Sequence, residues 1–111
     1  MYLKATLAMI RVCSLGELQR RRIVGFRRGG VRLVLIWYEG KAYCYEGLCP
    51  DRCGDLSAGQ LHGRYLVCSC PYQQSVYDVT TGQALPESPL PTTLRSYATK
   101  AEEEGVFVEL D

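Results

Sequence analysis

Hydrophobic positions in this chain cluster in short runs separated by glycine, proline and polar turns. The strongest run is residues 31–38, V-R-L-V-L-I-W-Y. Its β-branched and aromatic content predicts a strand, and its nearly continuous apolar character predicts burial on both faces. R-G-G at residues 28–30 predicts a hairpin turn before it, because glycine accepts the positive φ that tight hairpins demand. A loosely alternating strand over residues 21–27 leads into that turn. After Glu39 and Gly40, K-A-Y-C-Y-E at residues 41–46 is the partner strand, with Ala42 and Cys44 on one face and Tyr43 and Tyr45 on the other.

The same punctuation continues along the chain. Residues 6–12 (T-L-A-M-I-R-V) predict a first strand, and S-L-G-E-L after it a turn. Leu61, His62 and Gly63 predict a turn, residues 64–68 a strand, and residues 76–79 another that ends at T-T-G-Q. Three prolines over residues 85–91 rule out regular structure there. Residues 93–99 and 106–110 make the last hairpin, joined across K-A-E-E-E-G, and no stretch carries a helical period. Strands at such spacing, with Gly/Pro turns, predict an all-β antiparallel sandwich or barrel. At 111 residues the expectation is a single domain over 1–111.

Four of the six cysteines fall in two groups within residues 48–82: L-C-P-D-R-C-G-D-L-S-A-G and V-C-S-C-P-Y-Q-Q-S-V-Y-D-V-T-T-G. Two cysteine-bearing loops on neighbouring hairpins are a means of clasping a metal ion or an iron–sulfur cluster. Cys49, Cys53, Cys68 and Cys70 form C-x3-C-x14-C-x-C, and Cys68 and Cys70 share one face of an extended segment. The set could carry an all-cysteine cluster or a zinc ion, or Cys53 and Cys68 could form a disulfide, or no metal could bind at all. Cys13 and Cys44, in strand segments, read as small apolar fillers.

At these loops the chain resembles the Rieske ferredoxin family, whose loops have the form C-P-H-R-G-x-x-L-S-x-G and C-P-x-H-G-S-x-Y-D-x-x-T-G. Cys49 and Cys70 fall on that family's two thiolate ligands, and Asp51 and Gln73 on its two histidine ligands. The only histidine in the chain is His62, between the loops, where it reads as a surface turn residue. Ser75 and Tyr77 match the residues that, in high-potential members, hydrogen-bond a bridging sulfide and a ligand thiolate. The resemblance runs from residue 10 to residue 110. It implies a Rieske-like antiparallel β-sandwich with a cluster-binding subdomain at about residues 47–82. It also implies a [2Fe-2S] cluster and single-electron transfer to a partner oxidoreductase or oxygenase. A cluster-free accessory subunit of a larger reductase, or a zinc or mononuclear metal site, are the alternatives.

Charge adds one further expectation. Residues 1–41 hold nine Lys or Arg against Glu17 and Glu39, while Glu102, Glu103, Glu104, Glu109 and Asp111 close the chain. The basic run reads either as solvated strand faces or as a docking face for an acidic redox partner. Aromatic residues do not interleave with it, which argues against nucleic acid. No apolar run approaches the roughly 20 residues that span a membrane. The short apolar N-terminal stretch reads as a strand rather than a signal peptide, so the expected location is the cytoplasm. With no Ser/His/Asp set and no phosphate-binding glycine loop, independent catalysis is not expected.

Overall fold

The computed structural model describes residues 9–48, 54–69, 75–86, 88 and 92–110, and the architecture is that of these residues. The elements are β1 (Met9–Cys13), α1 (Leu15–Arg21), β2 (Ile23–Arg28), β3 (Val31–Tyr38) and β4 (Lys41–Glu46). A 3-10 turn (Leu56–Ala58) precedes β5 (Gln60–His62), β6 (Tyr65–Val67) and β7 (Val76–Asp78), and β8 (Ser96–Tyr97), β9 (Thr99–Glu102) and β10 (Gly105–Glu109) follow. They form three antiparallel sheets, in the orders β1-β10-β9, β2-β3-β4-β8 and β5-β6-β7.

The four-stranded sheet is the central wall. Gly29 and Gly30 take positive φ values of 60° and 84° and close the β2–β3 hairpin with Arg28 opposite Val31. Along β3, Leu33, Val34, Leu35 and Ile36 are all buried, as the apolar run predicts. Leu33 and Leu35 face one core with Val24, Cys44, Leu18, Val106 and Val108, closed by α1 and the β1-β10-β9 sheet. Val34 and Ile36 face a second core with Tyr45, Leu56, Leu66, Tyr77 and Val79, closed by the β5-β6-β7 sheet. Each such buried aliphatic side chain contributes about 1.5–3 kcal/mol relative to exposure. The two-faced assignment of β4 holds, with Cys44 in the first core and Tyr45 in the second.

Three expectations are corrected. S-L-G-E-L is not a turn and the chain is not without helix, since it opens α1. Ser14 is the N-cap and its Oγ accepts from the Glu17 N–H at 3.0 Å, Glu17 pairs with Arg21 one turn on, and Arg22 ends the helix in the left-handed region. That cap satisfies an N–H the helix cannot, which outweighs the helix-breaking tendency of Gly16. Leu61 and His62 belong to β5, and the turn proper is at Gly63 and Arg64, because Leu61 pairs with Leu66 and packs against the second core. The final hairpin is β9–β10, whereas Ser96–Tyr97 crosses to pair with Cys44 and Tyr45 of β4. Of the expected first strand, residues 6–8 lie outside the described residues.

Candidate metal centre

The first cysteine loop runs from the central sheet toward β5, and the second joins β6 to β7. The first loop leaves β4 at Gly47 and Leu48 and returns at Gly54 and Asp55. Its neck is shut by the Leu48–Asp55 bridge and by the Leu56 N–H donating to the Gly47 carbonyl at 2.7 Å. Asp55 Oδ1 then accepts from the N–H (3.0 Å) and the hydroxyl (2.8 Å) of Ser57, which starts the 3-10 turn and drives Leu56 into the core. At Gly59 a Cβ would collide with the Val67 carbonyl, so only glycine lets the chain lie this close to β6.

The second loop leaves β6 at Cys68 and re-enters at Ser75, and the Cys68 N–H donates to the Ser75 carbonyl at 2.9 Å. The two necks touch, because Ser69 Oγ lies 3.4 Å from the Asp55 carbonyl that it donates to. One residue beyond Ser69 the chain reaches Cys70, and two residues before Asp55 it passes Cys53. The fold thus brings the necks of the two cysteine loops side by side.

Beneath the necks lies the second core, where Cys68 (1% exposed) and Tyr77 (1%) pack with Leu56 and Leu66. Three buried polar side chains stand out among the described residues. Ser88 is tied to β7, its Oγ accepting from the Val76 N–H at 2.9 Å. Asp78 accepts from Arg64 Nη2 at 2.6 Å and from the Thr80 hydroxyl at 2.7 Å. Burial works against the charge on Asp78, yet those hydrogen bonds outweigh it and hold the carboxyl below its usual range. Ser75 is the exception: it is fully buried at the neck of the second loop, and its Oγ has no hydrogen-bond partner. An unsatisfied buried hydroxyl costs about 1–3 kcal/mol, so its position calls for an acceptor.

Cys68, Ser75 and Tyr77 are therefore brought together at the base of the loops. Cys49, Asp51, Cys53, Cys70 and Gln73 lie outside the described residues. His62 is exposed on β5, paired with Tyr65 at the turn end of its hairpin. Cys13 and Cys44 are buried free thiols, the fillers expected, and burial pushes the Cys44 thiol up to about 12. Among the described residues no three His, Cys, Asp or Glu side chains gather around one point. Sequence reasoning missed the Asp55–Ser57 cap, although D-x-S after a glycine is a recognisable capping signal.

Residues 8–98 match the family described as the Rieske [2Fe-2S] domain. The chain is 30% identical over 105 residues to the ferredoxin component of the naphthalene 1,2-dioxygenase system of Pseudomonas putida, covering 95% of this chain and 98% of that protein. It is 35% identical over 72 residues to the ferredoxin component of a 2,4-dinitrotoluene dioxygenase system from Burkholderia sp. (strain RASC), covering 65% and 66% respectively. The fold superposes on the ferredoxin of carbazole 1,9a-dioxygenase from Nocardioides aromaticivorans IC177 with a TM-score of 0.80 and 21% identity, over 94% of this chain and 99% of that one.

Proposed function

The chain belongs to the Rieske [2Fe-2S] domain family, and from that premise we propose that it is the ferredoxin of a multicomponent oxygenase, carrying single electrons from a reductase to an oxygenase. The relatives named above are ferredoxin components of dioxygenase systems, and the likeness to the Pseudomonas putida protein extends end to end. The observation that carries the reading is the contact between the necks at Ser69 and Asp55, one residue from the Cys68–Ser75 pair, with a Ser75 hydroxyl that is buried and has no partner among the described residues.

The residues at hand fit an iron–sulfur cluster of modified ligation. The sequence supplies thiols on both loops, and Ser75 offers a buried donor with no acceptor among the described residues. A two-histidine set does not fit, because the chain has a single histidine, His62, exposed on β5. In the proposed site Cys49 and Cys70 hold one iron. Asp51 and Gln73 face the other, with Cys53 and Cys68 as the thiolates that compete for that place. When bound, such a centre supplies one reversibly transferred electron. Ser75 would donate its hydroxyl toward the negative charge of such a centre, with buried Tyr77 two residues further along, on β7. Anionic ligands in place of neutral imidazole favour the oxidised state and so lower the potential.

The cytoplasm suits this reading, since Cys13 and Cys44 are free thiols and reduced cysteines there serve metals more often than disulfides. No helix among the described residues is long and apolar enough to cross a membrane.

Iron, acid-labile sulfide and zinc analysis of the purified protein, with its visible spectrum, tests the proposal. About two irons and two sulfides per chain are expected, with colour lost in Cys49→Ser and Cys70→Ser. A colourless, metal-free and still folded protein would sink it and leave an accessory subunit; stoichiometric zinc would leave a mononuclear site.

A further inference from the structure

The basic residues of the N-terminal half divide into two sites. Arg20, Arg21 and Arg22 end α1, next to Trp37 at the far end of β3, where the Trp37 N–H donates to the Arg22 carbonyl. Arg27, Arg28 and Arg32 surround the β2–β3 turn, at the other end of the same strand. The second site carries an additional feature. Val31 is 47% exposed, the one large hydrophobic side chain so exposed among the described residues. It borders a groove of about 310 Å³ together with Leu33, Tyr97 and Leu110, and Arg28 and Arg95 form the rim.

Four cations on the described surface are matched by a carboxylate: Arg21 by Glu17, Arg32 by Asp55, Arg64 by Asp78 and Lys100 by Glu102. Arg27 and Arg28 are exposed and have no ion-pair partner among the described residues. Of the nearby carboxylates, Asp55 is held by Ser57 and Arg32, and Glu46 Oε2 accepts from the Arg95 N–H at 2.9 Å. The groove therefore joins an exposed apolar side chain, Val31, to Arg28, a guanidinium with no ion-pair partner among the described residues.

Its location links it to the loops. The Gly47 N–H, at the neck of the first loop, donates to the Arg32 carbonyl at 2.9 Å, and Arg32 Nη1 lies 3.6 Å from Asp55 Oδ2 at the other side of that neck. The turn that presents the groove is stiffened by two glycines already in the conformation a tight hairpin requires.

We infer that the Val31 groove is a docking surface for a redox partner that presents carboxylates around an apolar side chain, held at the loop end of the sheet. This rests on the electron-carrier reading for the partner's role, but not for the binding itself. The apolar anchor supplies residence, while Arg28 supplies orientation and a salt-dependent encounter. α1, although equally basic, has no large hydrophobic side chain as exposed as Val31 beside it among the described residues and lies at the opposite end of β3.

A fluorescein-labelled hexapeptide with Leu-Phe flanked by Glu and Asp, and the same peptide with Gln and Asn, test the inference by anisotropy. The acidic peptide should bind more tightly than its amide analogue, and weaken as salt rises. Arg28→Glu and Val31→Ser should each weaken it about tenfold, equivalent to 1.4 kcal/mol, while Arg20→Glu leaves it nearly unchanged. Equal binding of the two peptides, no binding of either, or an equal loss in Arg20→Glu would overturn it. Iron analysis of the same samples keeps the two readings apart: peptide binding by a metal-free protein would sink the electron carrier and spare the docking surface.

Discussion

The Tyr45 hydroxyl donates a 2.7 Å hydrogen bond to the carbonyl of Val79, 34 residues further along, and so ties the central sheet to the end of β7. Tyr45 is 3% exposed, and its ring packs under the turn at Gly82 in the core that also holds Leu56 and Tyr77. Tyr45→Phe keeps the ring and leaves that carbonyl without its donor. The expected loss is about 1–2 kcal/mol in urea unfolding. An unchanged midpoint would show that the bond is replaced by water.

Alkaline stability should be set by buried groups that resist ionisation. Burial raises Cys44 from 9.0 to about 12, and burial first, then nearby Tyr43, raises Tyr45 from 10.0 to about 12. Both pKa values are higher folded than unfolded, so their contribution is complete below the unfolded values and drains away as pH climbs from 9 toward 12. The Cys44 share has a slope of up to about 1 kcal/mol per pH unit. Cys44→Ala should flatten the upper part of the unfolding free energy against pH. A slope equal to wild type would assign the loss elsewhere.

Ser75→Ala separates the two states of the site. In metal-free protein, removing a buried hydroxyl that has no partner should leave stability unchanged or raise it by about 1 kcal/mol. In iron-loaded protein the same change removes a donor to negative charge, so the potential should fall. Thermal melts of the two forms and a redox titration check this. A metal-free variant that is markedly less stable than wild type would mean that the hydroxyl serves the fold instead.

With no imidazole available as a ligand, the reduction potential should not change with pH over about pH 6 to 9. The double variant Asp51→His, Gln73→His should raise the potential and restore a pH-dependent segment. Voltammetry across that range is the measurement, and a wild-type potential that falls with pH would exclude the proposed ligands.

Helix α1 depends on its cap. Ser14→Ala removes the acceptor of the Glu17 N–H and should cost about 1 kcal/mol. The exposed Glu17–Arg21 pair should contribute only a few tenths, seen in Glu17→Gln.

Much of this molecule could be read from its residues, and the misses share a cause. β3 and β4 were bounded correctly because V-R-L-V-L-I-W-Y and K-A-Y-C-Y-E are flanked by Gly-Gly and Glu-Gly turns, signals that act over two residues. α1 was hidden because seven residues are too few to show a period, and Gly16 masked the Ser14-to-Glu17 capping pattern. Ser96–Tyr97 could not be assigned because its partners, Cys44 and Tyr45, lie about fifty residues earlier, and local pattern carries no long-range pairing. At the site, the cysteine spacing and the Ser75 and Tyr77 positions were legible as motif. The contact of Ser69 with Asp55 was not, since it exists only once β5 and β6 have paired.

The central sheet has one more consequence. Because Leu33 and Leu35 belong to one core and Val34 and Ile36 to the other, β3, the strand paired with β4 from which the first loop leaves, is gripped from two directions at once. Close-packed interiors yield little under strain, so a loop leaving the neighbour of such a strand is anchored at a point that shifts little when a charge arrives or departs. Fast electron exchange needs just that stillness, a small reorganisation of the surroundings. In this molecule it would come from alternate residues of a single eight-residue strand.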